Sequence, residues 1–332
     1  MLFHPAVIAL LTTSALTSMM LLYSGYYGYL IIRQWDPSSG SELQLLLERR
    51  TYLISTILAY LFAFQVLSLF LYLFTADNLH TFFVGAMCAA GTLNVNGYGY
   101  PALLLKIINL LAAGVWLIVN FVDNRAYDYP LVKKKYVLLL VISPLILAET
   151  VMLANYFLHL DPNIITSCCG SLFSEGARSI SSDIVSLPPR LMGIALYLSM
   201  AALVGSGLCF YFKGKGAYPF SVIAAGTFVF AVLSTISFIS PYIYELPSHR
   251  CPFCILQGEY RYVGYPLYAG LLGGAVAGIG VGVLMPFKGI ASLSAIIPRA
   301  QKRLSVASML CYLVFTAIVT YRIIFSNLIL QP

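Results

Sequence analysis

The chain has 332 residues, 60% hydrophobic and 9% charged, with a mean hydropathy of +0.87 and a formal net charge of +7. A water-soluble domain carries about 25% charged residues, so this composition excludes a soluble globular fold. The positive balance does not point to nucleic acid either, because most of the 19 basic residues fall in four short loops between long apolar runs.

A helix needs roughly 20 apolar residues to cross a bilayer, and lipid leaves no other way to satisfy an open backbone. Eight such runs are expected, near 5–32, 52–75, 101–122, 137–160, 191–212, 218–240, 264–285 and 304–328. The first has no basic segment before it and is long enough to be a mature span rather than a cleaved signal. Ahead of the second, Ser39 and Glu42 stand at capping-box spacing, which predicts a short amphipathic surface helix over 41–50. The stretch 286–303 reads the same way. In the seventh run Gly270, Gly274, Gly278 and Gly282 recur every fourth residue. That spacing lets helices approach closely, and packing inside the bundle is favoured over a homodimer seam.

The basic loops hold Arg33, Arg49 and Arg50; Arg125 and Lys133 to Lys135; Lys213 and Lys215; and Lys288, Arg299, Lys302 and Arg303. The positive-inside rule places them in the cytoplasm. The expectation is an all-α polytopic membrane protein, a single integral domain of about eight transmembrane helices with both termini outside. Loops 76–100, 161–190 and 241–263 then face outward, with compact connections that fit a bacterial inner membrane.

The outer side collects the chemistry. Cys88, Cys168, Cys169, Cys251 and Cys254 lie in or beside the outer loops, as do His4, His80, His159 and His249. Five is an odd number, so one thiol is left over from any pairing among them. Cys209 and Cys311 lie within spans and read as small apolar packers. The most informative segment is Arg250-Cys251-Pro252-Phe253-Cys254-Ile255-Leu256-Gln257. Two cysteines at this spacing can close a small disulfide or hold one soft ion, and a nearby cation such as Arg250 or Arg261 favours the thiolate. His249, two residues before Cys251, could act on that thiol or join a mixed metal site.

This segment resembles the Cys-x-x-Cys of DsbB-type disulfide oxidases and, more loosely, of vitamin K epoxide reductase relatives. The resemblance covers about eight residues. It implies that Cys251 and Cys254 are a quinone-facing pair at the outer end of a membrane helix. Gln257 is followed by Gly258 where the family commonly has arginine, and the nearest arginine is Arg261. Those families have four or five helices, where eight are expected here. The adjacent Cys168 and Cys169 resemble the vicinal pair of membrane mercury transporters, and adjacent cysteines suit one soft ion better than a bond to each other.

Glu149, in the middle of the fourth span, is costly in lipid and therefore a candidate for a proton path. Lys106 and Arg322 are its candidate partners. Lys106, Arg190 and Arg322 could together form a basic pocket for a quinone oxygen or an anion, with Arg261 nearby.

Three functions remain open from the sequence. One is a thiol–disulfide oxidoreductase or electron-relay subunit with a quinone as its electron partner. In it Cys251 and Cys254 cycle, Cys168 or Cys169 passes electrons to a periplasmic thioredoxin-fold protein, and Cys88 is an alternative shuttle. Another is a permease or transporter subunit for Hg, Cu or Zn, with Cys168, Cys169, Cys251, Cys254 and His249 as ligands. The last is a structural membrane subunit with an ordinary outer disulfide, working with other membrane subunits. No phosphate-binding glycine loop or nucleophile–His–Asp arrangement is present.

Overall fold

The computed structural model describes residues 2–36, 39–166 and 188–328. Among them the chain is helical and contains no strand. The helices are α1 (Pro5–Gln34), α2 (Glu42–Asn78), the short α3 (Ala89–Leu93), α4 (Gly99–Asp123), α5 (Val132–Leu158), α6 (Pro189–Lys213), α7 (Ala217–Ser234), the short α8 (Ser240–Tyr244), α9 (Gly264–Val283) and α10 (Ile296–Ile324). Eight segments are long and apolar enough to cross a membrane, α7 and α8 forming one of them through a π turn. Large apolar side chains such as Leu16, Met19, Leu67, Leu198 and Val222 stay exposed, as expected where lipid replaces water. The chain is a helical membrane protein.

The separate surface helix expected over 41–50 does not form. Residues from Glu42 onward run straight into the second span as one 37-residue helix, because no glycine or proline interrupts Arg49-Arg50-Thr51-Tyr52. The last span likewise starts early, at Ile296. Pro144 lies inside α5 without ending it. Pro241 has a larger effect. It offers no N–H, and just before it the helix widens into the π turn Thr235–Ile239. The Thr235 carbonyl there accepts both the N–H and the hydroxyl of Ser240.

Contacts divide the chain into two compact units. The first comprises Met1–Thr75, Asn96–Leu160 and Pro286–Ala300 and holds α1, most of α2, α4 and α5. Leu21, Ile54, Leu58, Phe62, Trp116, Tyr136 and Ile142 fill its core. Phe62 and Trp116 meet edge to face at 5.0 Å. A buried ion pair, Lys135 Nζ to Asp123 Oδ2 at 2.8 Å, ties the end of α4 to the start of α5.

The second unit comprises Ala76–Val95, Asp161–Met285 and Gln301–Pro332. Its glycine ridge works inside the chain, as expected. A Cβ on Gly274 would stand 2.8 Å from the Tyr312 ring, and one on Gly270 would stand 3.0 Å from the Cys311 carbonyl. The close approach lets Ser308 donate to the Gly274 carbonyl and Tyr312 to that of Ala224. Hydrogen bonds between helices replace the hydrophobic drive that lipid removes.

Candidate functional site

The site lies within the second unit and is built from two loops. The first leaves the end of α2 through the short turn Leu79–Phe82 and reaches Cys88 just ahead of α3. Gly85 makes this path possible. Its φ is +87°, and a Cβ there would collide with the Thr166 carbonyl. Thr166 in turn donates its N–H to Val84 and its hydroxyl to Gly91. The first amides of α3 need acceptors, and Asp77 Oδ1 takes the Ala89 N–H at 3.2 Å.

The second loop carries Cys251 and Cys254. Cys254 begins the tight turn Cys254–Leu256, and another turn, Gly258–Tyr260, follows. Arg261 and Tyr262 then both take left-handed backbone conformations, φ +56° and +54°. Each costs a non-glycine residue roughly 1–2 kcal/mol. The strain lies where the loop turns back into α9. Tyrosines hold the Cys-x-x-Cys backbone from outside: Tyr244 donates to the Cys251 carbonyl and Tyr268 to that of Pro252, each at 2.5 Å.

Gln257 joins the two loops. Its side-chain amide donates to Asp77 Oδ1 at 3.0 Å and to the Met87 carbonyl at 2.9 Å. The result is a cluster of three sulfurs. Cys88 Sγ lies 3.6 Å from Cys251 Sγ, and the sulfurs of Cys88, Cys251 and Cys254 all lie within 4.8 Å of one another. The three residues are 0%, 0% and 5% exposed. At 3.6 Å the first pair is in contact but not bonded, since a disulfide measures about 2.05 Å.

Tyr244 is the hub of the surroundings. The His249 ring meets it at 4.5 Å and Tyr260 at 4.7 Å. The Tyr260 hydroxyl is held above its usual range, first by burial and then by neighbouring Cys254 and Glu259. Beside these rings opens a cavity of about 440 Å³, walled by Tyr244, Tyr260, Arg261, Arg322, Glu245 and Glu259.

Of the residues expected from the sequence, Cys88, Cys251 and Cys254 come together. Cys168 and Cys169 lie outside the described residues, as does their pairing. His249 packs against Tyr244 and is not one of the three ligand atoms grouped here. Arg261 and Arg322 share the cavity, while Arg190 is exposed in the first turn of α6. Lys106 belongs to the first unit, where its ammonium sits 2.8 Å from Glu149 Oε1. Burial commits that charge to Glu149, so Lys106 does not supply the basic pocket. Gln65 and Asn109 donate to the other Glu149 oxygen at 2.5 and 2.6 Å.

Sequence reasoning missed Asp77, Tyr244, Tyr268 and the bridging role of Gln257. Asp77 alone left a trace, as a carboxylate at the end of a long apolar run. No protein-family model, no curated protein and no solved structure matches this chain.

Proposed function

We propose that the chain is a membrane thiol–disulfide oxidoreductase in which Cys88, Cys251 and Cys254 form one exchange centre. The observation that carries this reading is the 3.6 Å approach of Cys88 to Cys251 from a different loop. Exchange requires a thiolate in reach of a disulfide sulfur. With Cys251 and Cys254 bonded, attack by the Cys88 thiolate on Cys251 forms a Cys88–Cys251 bond and releases Cys254 as thiolate. Reversal reforms the original pair. When the reduced Cys251 and Cys254 close their bond, two electrons and two protons leave. A bound quinone supplies the acceptor, and the cavity lined by Tyr244, Tyr260, Arg261 and Arg322 offers it cationic donors beside aromatic rings. Cys168 or Cys169 is the proposed link to a thioredoxin-fold partner. The basic loops support a topology with both termini and this centre on the periplasmic side of a bacterial inner membrane.

The test is a mass-tag thiol count on acid-quenched membranes, mapped by peptide. Under this reading the Cys251–Cys254 bond occupies part of the population, and the fraction shifts when quinone is reduced. A fraction that stays constant under oxidant, reductant and quinone alike would refute it.

The spread of the three sulfurs favours one second reading, a soft-metal permease. Thiolates bound to one ion at about 2.3 Å lie about 4 Å apart, within the range found here. In that case the thiols resist labelling until a chelator is added, and metal copurifies in one-to-one ratio.

A further inference from the structure

A second polar cluster lies in the first unit, not the one that carries the sulfurs, within the spans α2, α4 and α5. Gln65 and Ser68 stand one turn apart on α2, Lys106 and Asn109 stand one turn apart on α4, and Glu149 reaches them from α5. Residues three apart share a helix face, so the five side chains meet. None of the five is more than 3% exposed. Ionisable groups inside a membrane are expensive and point to function by default. Stability does not explain the pair, since apolar residues of similar size often replace a buried ion pair without loss.

The oxygens of the cluster are not all used. Asn109 donates its amide to Glu149 and to the Leu145 carbonyl at 3.2 Å. Its own Oδ1 is buried and meets no donor among the described residues. Amide and carboxylate oxygens each have room for two donors, and a buried one left unmet is costly. Carboxylate and amide oxygens are also the ligands that hard cations take. Charge selects the kind of cation. With Lys106 protonated the ion pair is neutral, and an added cation would leave one positive charge in excess. If Lys106 gives up its proton, a monovalent cation balances Glu149, whereas a divalent one does not. Tyr72 of α2, with Tyr156 and Tyr100 near it, is the other titratable group beside the pair. Its hydroxyl donates to the Gly99 carbonyl at 3.1 Å and its ring lies 5.6 Å from the ammonium. On the far side of α5, α1 brings a hydroxyl, Ser18, which meets Thr150 at 2.8 Å.

We infer that this cluster binds a monovalent alkali cation in exchange for the Lys106 proton. The cation takes oxygens of Glu149 and Asn109, the proton leaves to water, and the charge buried in the spans is unchanged.

The full chain in a sugar-based detergent, without buffer, is titrated with NaCl, LiCl and KCl while a pH electrode follows released protons. Choline chloride is the control for ionic strength. The expected result is a saturable release approaching one proton per chain, which choline does not produce. Because cation and proton compete, the midpoint falls about tenfold in cation concentration for each unit rise in pH. Asn109→Ala keeps the ion pair and raises the midpoint at least tenfold. In Lys106→Met the release disappears, and the cation takes the place of the ammonium beside Glu149, so that sodium raises the unfolding temperature of this variant above its value in choline. The inference is overturned if no alkali ion releases protons beyond choline, or if both variants release them as the parent does. If neither variant folds, the parent titration decides alone, and a midpoint that does not move with pH counts against exchange.

Discussion

Gln257 and Asp77 stand 180 positions apart in the chain, yet the Gln257 amide donates to the Asp77 carboxylate at 3.0 Å and to the Met87 carbonyl beside Cys88. The bond holds the loop bearing Cys88 against the loop bearing Cys251 and Cys254. Removing the amide leaves Asp77 half-satisfied and the two loops without their bridge. Gln257→Leu is expected to cost about 1–3 kcal/mol, the penalty for an unsatisfied polar group. It should also raise maleimide labelling of Cys88 severalfold. Labelling rates at Cys88 in membranes, compared between the variant and the parent, check it. An unchanged rate would mean that the loops are held by other contacts.

Gly85 makes the same geometry possible from the backbone. At φ +87° with the Thr166 carbonyl against it, Gly85→Ala adds both strain and a collision with backbone. The strain alone costs about 1–3 kcal/mol. The expected outcome is a lower unfolding temperature together with loss of any Cys88–Cys251 crosslink under mild oxidant. Gly97, whose Cβ position meets nothing within 4 Å, is the control, and Gly97→Ala should leave both readouts unchanged.

The eight spans were legible because apolar length is a local property of the sequence. The glycine ridge was legible because its period is that of the helix. The grouping of Cys88 with Cys251 and Cys254 was not, since it depends on Gly85, Thr166 and Gln257 closing two loops far apart in sequence. Nor was the merging of 41–50 into α2. The polar pattern of 41–50 marked a surface helix, but only a glycine or proline could have separated it from the span. The commitment of Lys106 to Glu149 was half legible. Both residues were conspicuous in apolar runs, but Gln65 and Asn109, which also donate to the carboxylate, were not.

The order of events at the sulfurs can be tested by trapping. If Cys88 exchanges with Cys251, then Cys254→Ser leaves Cys88 and Cys251 as the only two members of the centre. Oxidation should then crosslink them, detected as a single linked peptide pair. Cys251→Ser should instead leave Cys88 and Cys254 with a lower yield. Equal yields from both variants would place Cys88 equally close to either sulfur and remove the assigned order.

Glu149 and Lys106 form a buried pair, their side chains 1% and 0% exposed. Removing one partner strands the other, which typically costs 3–5 kcal/mol, whereas removing both with apolar residues of similar size is often close to neutral. Glu149→Leu and Lys106→Met are each expected to lower the unfolding temperature sharply. The double variant should recover part of the loss, because it still leaves Gln65 and Asn109 without the carboxylate they now serve. A proton path through Glu149 makes a different prediction for function. Proton-coupled activity is lost in Glu149→Gln and stays lost in the stable double variant. If the double variant recovers both stability and activity, the pair is a structural clasp of the first unit and carries no protons.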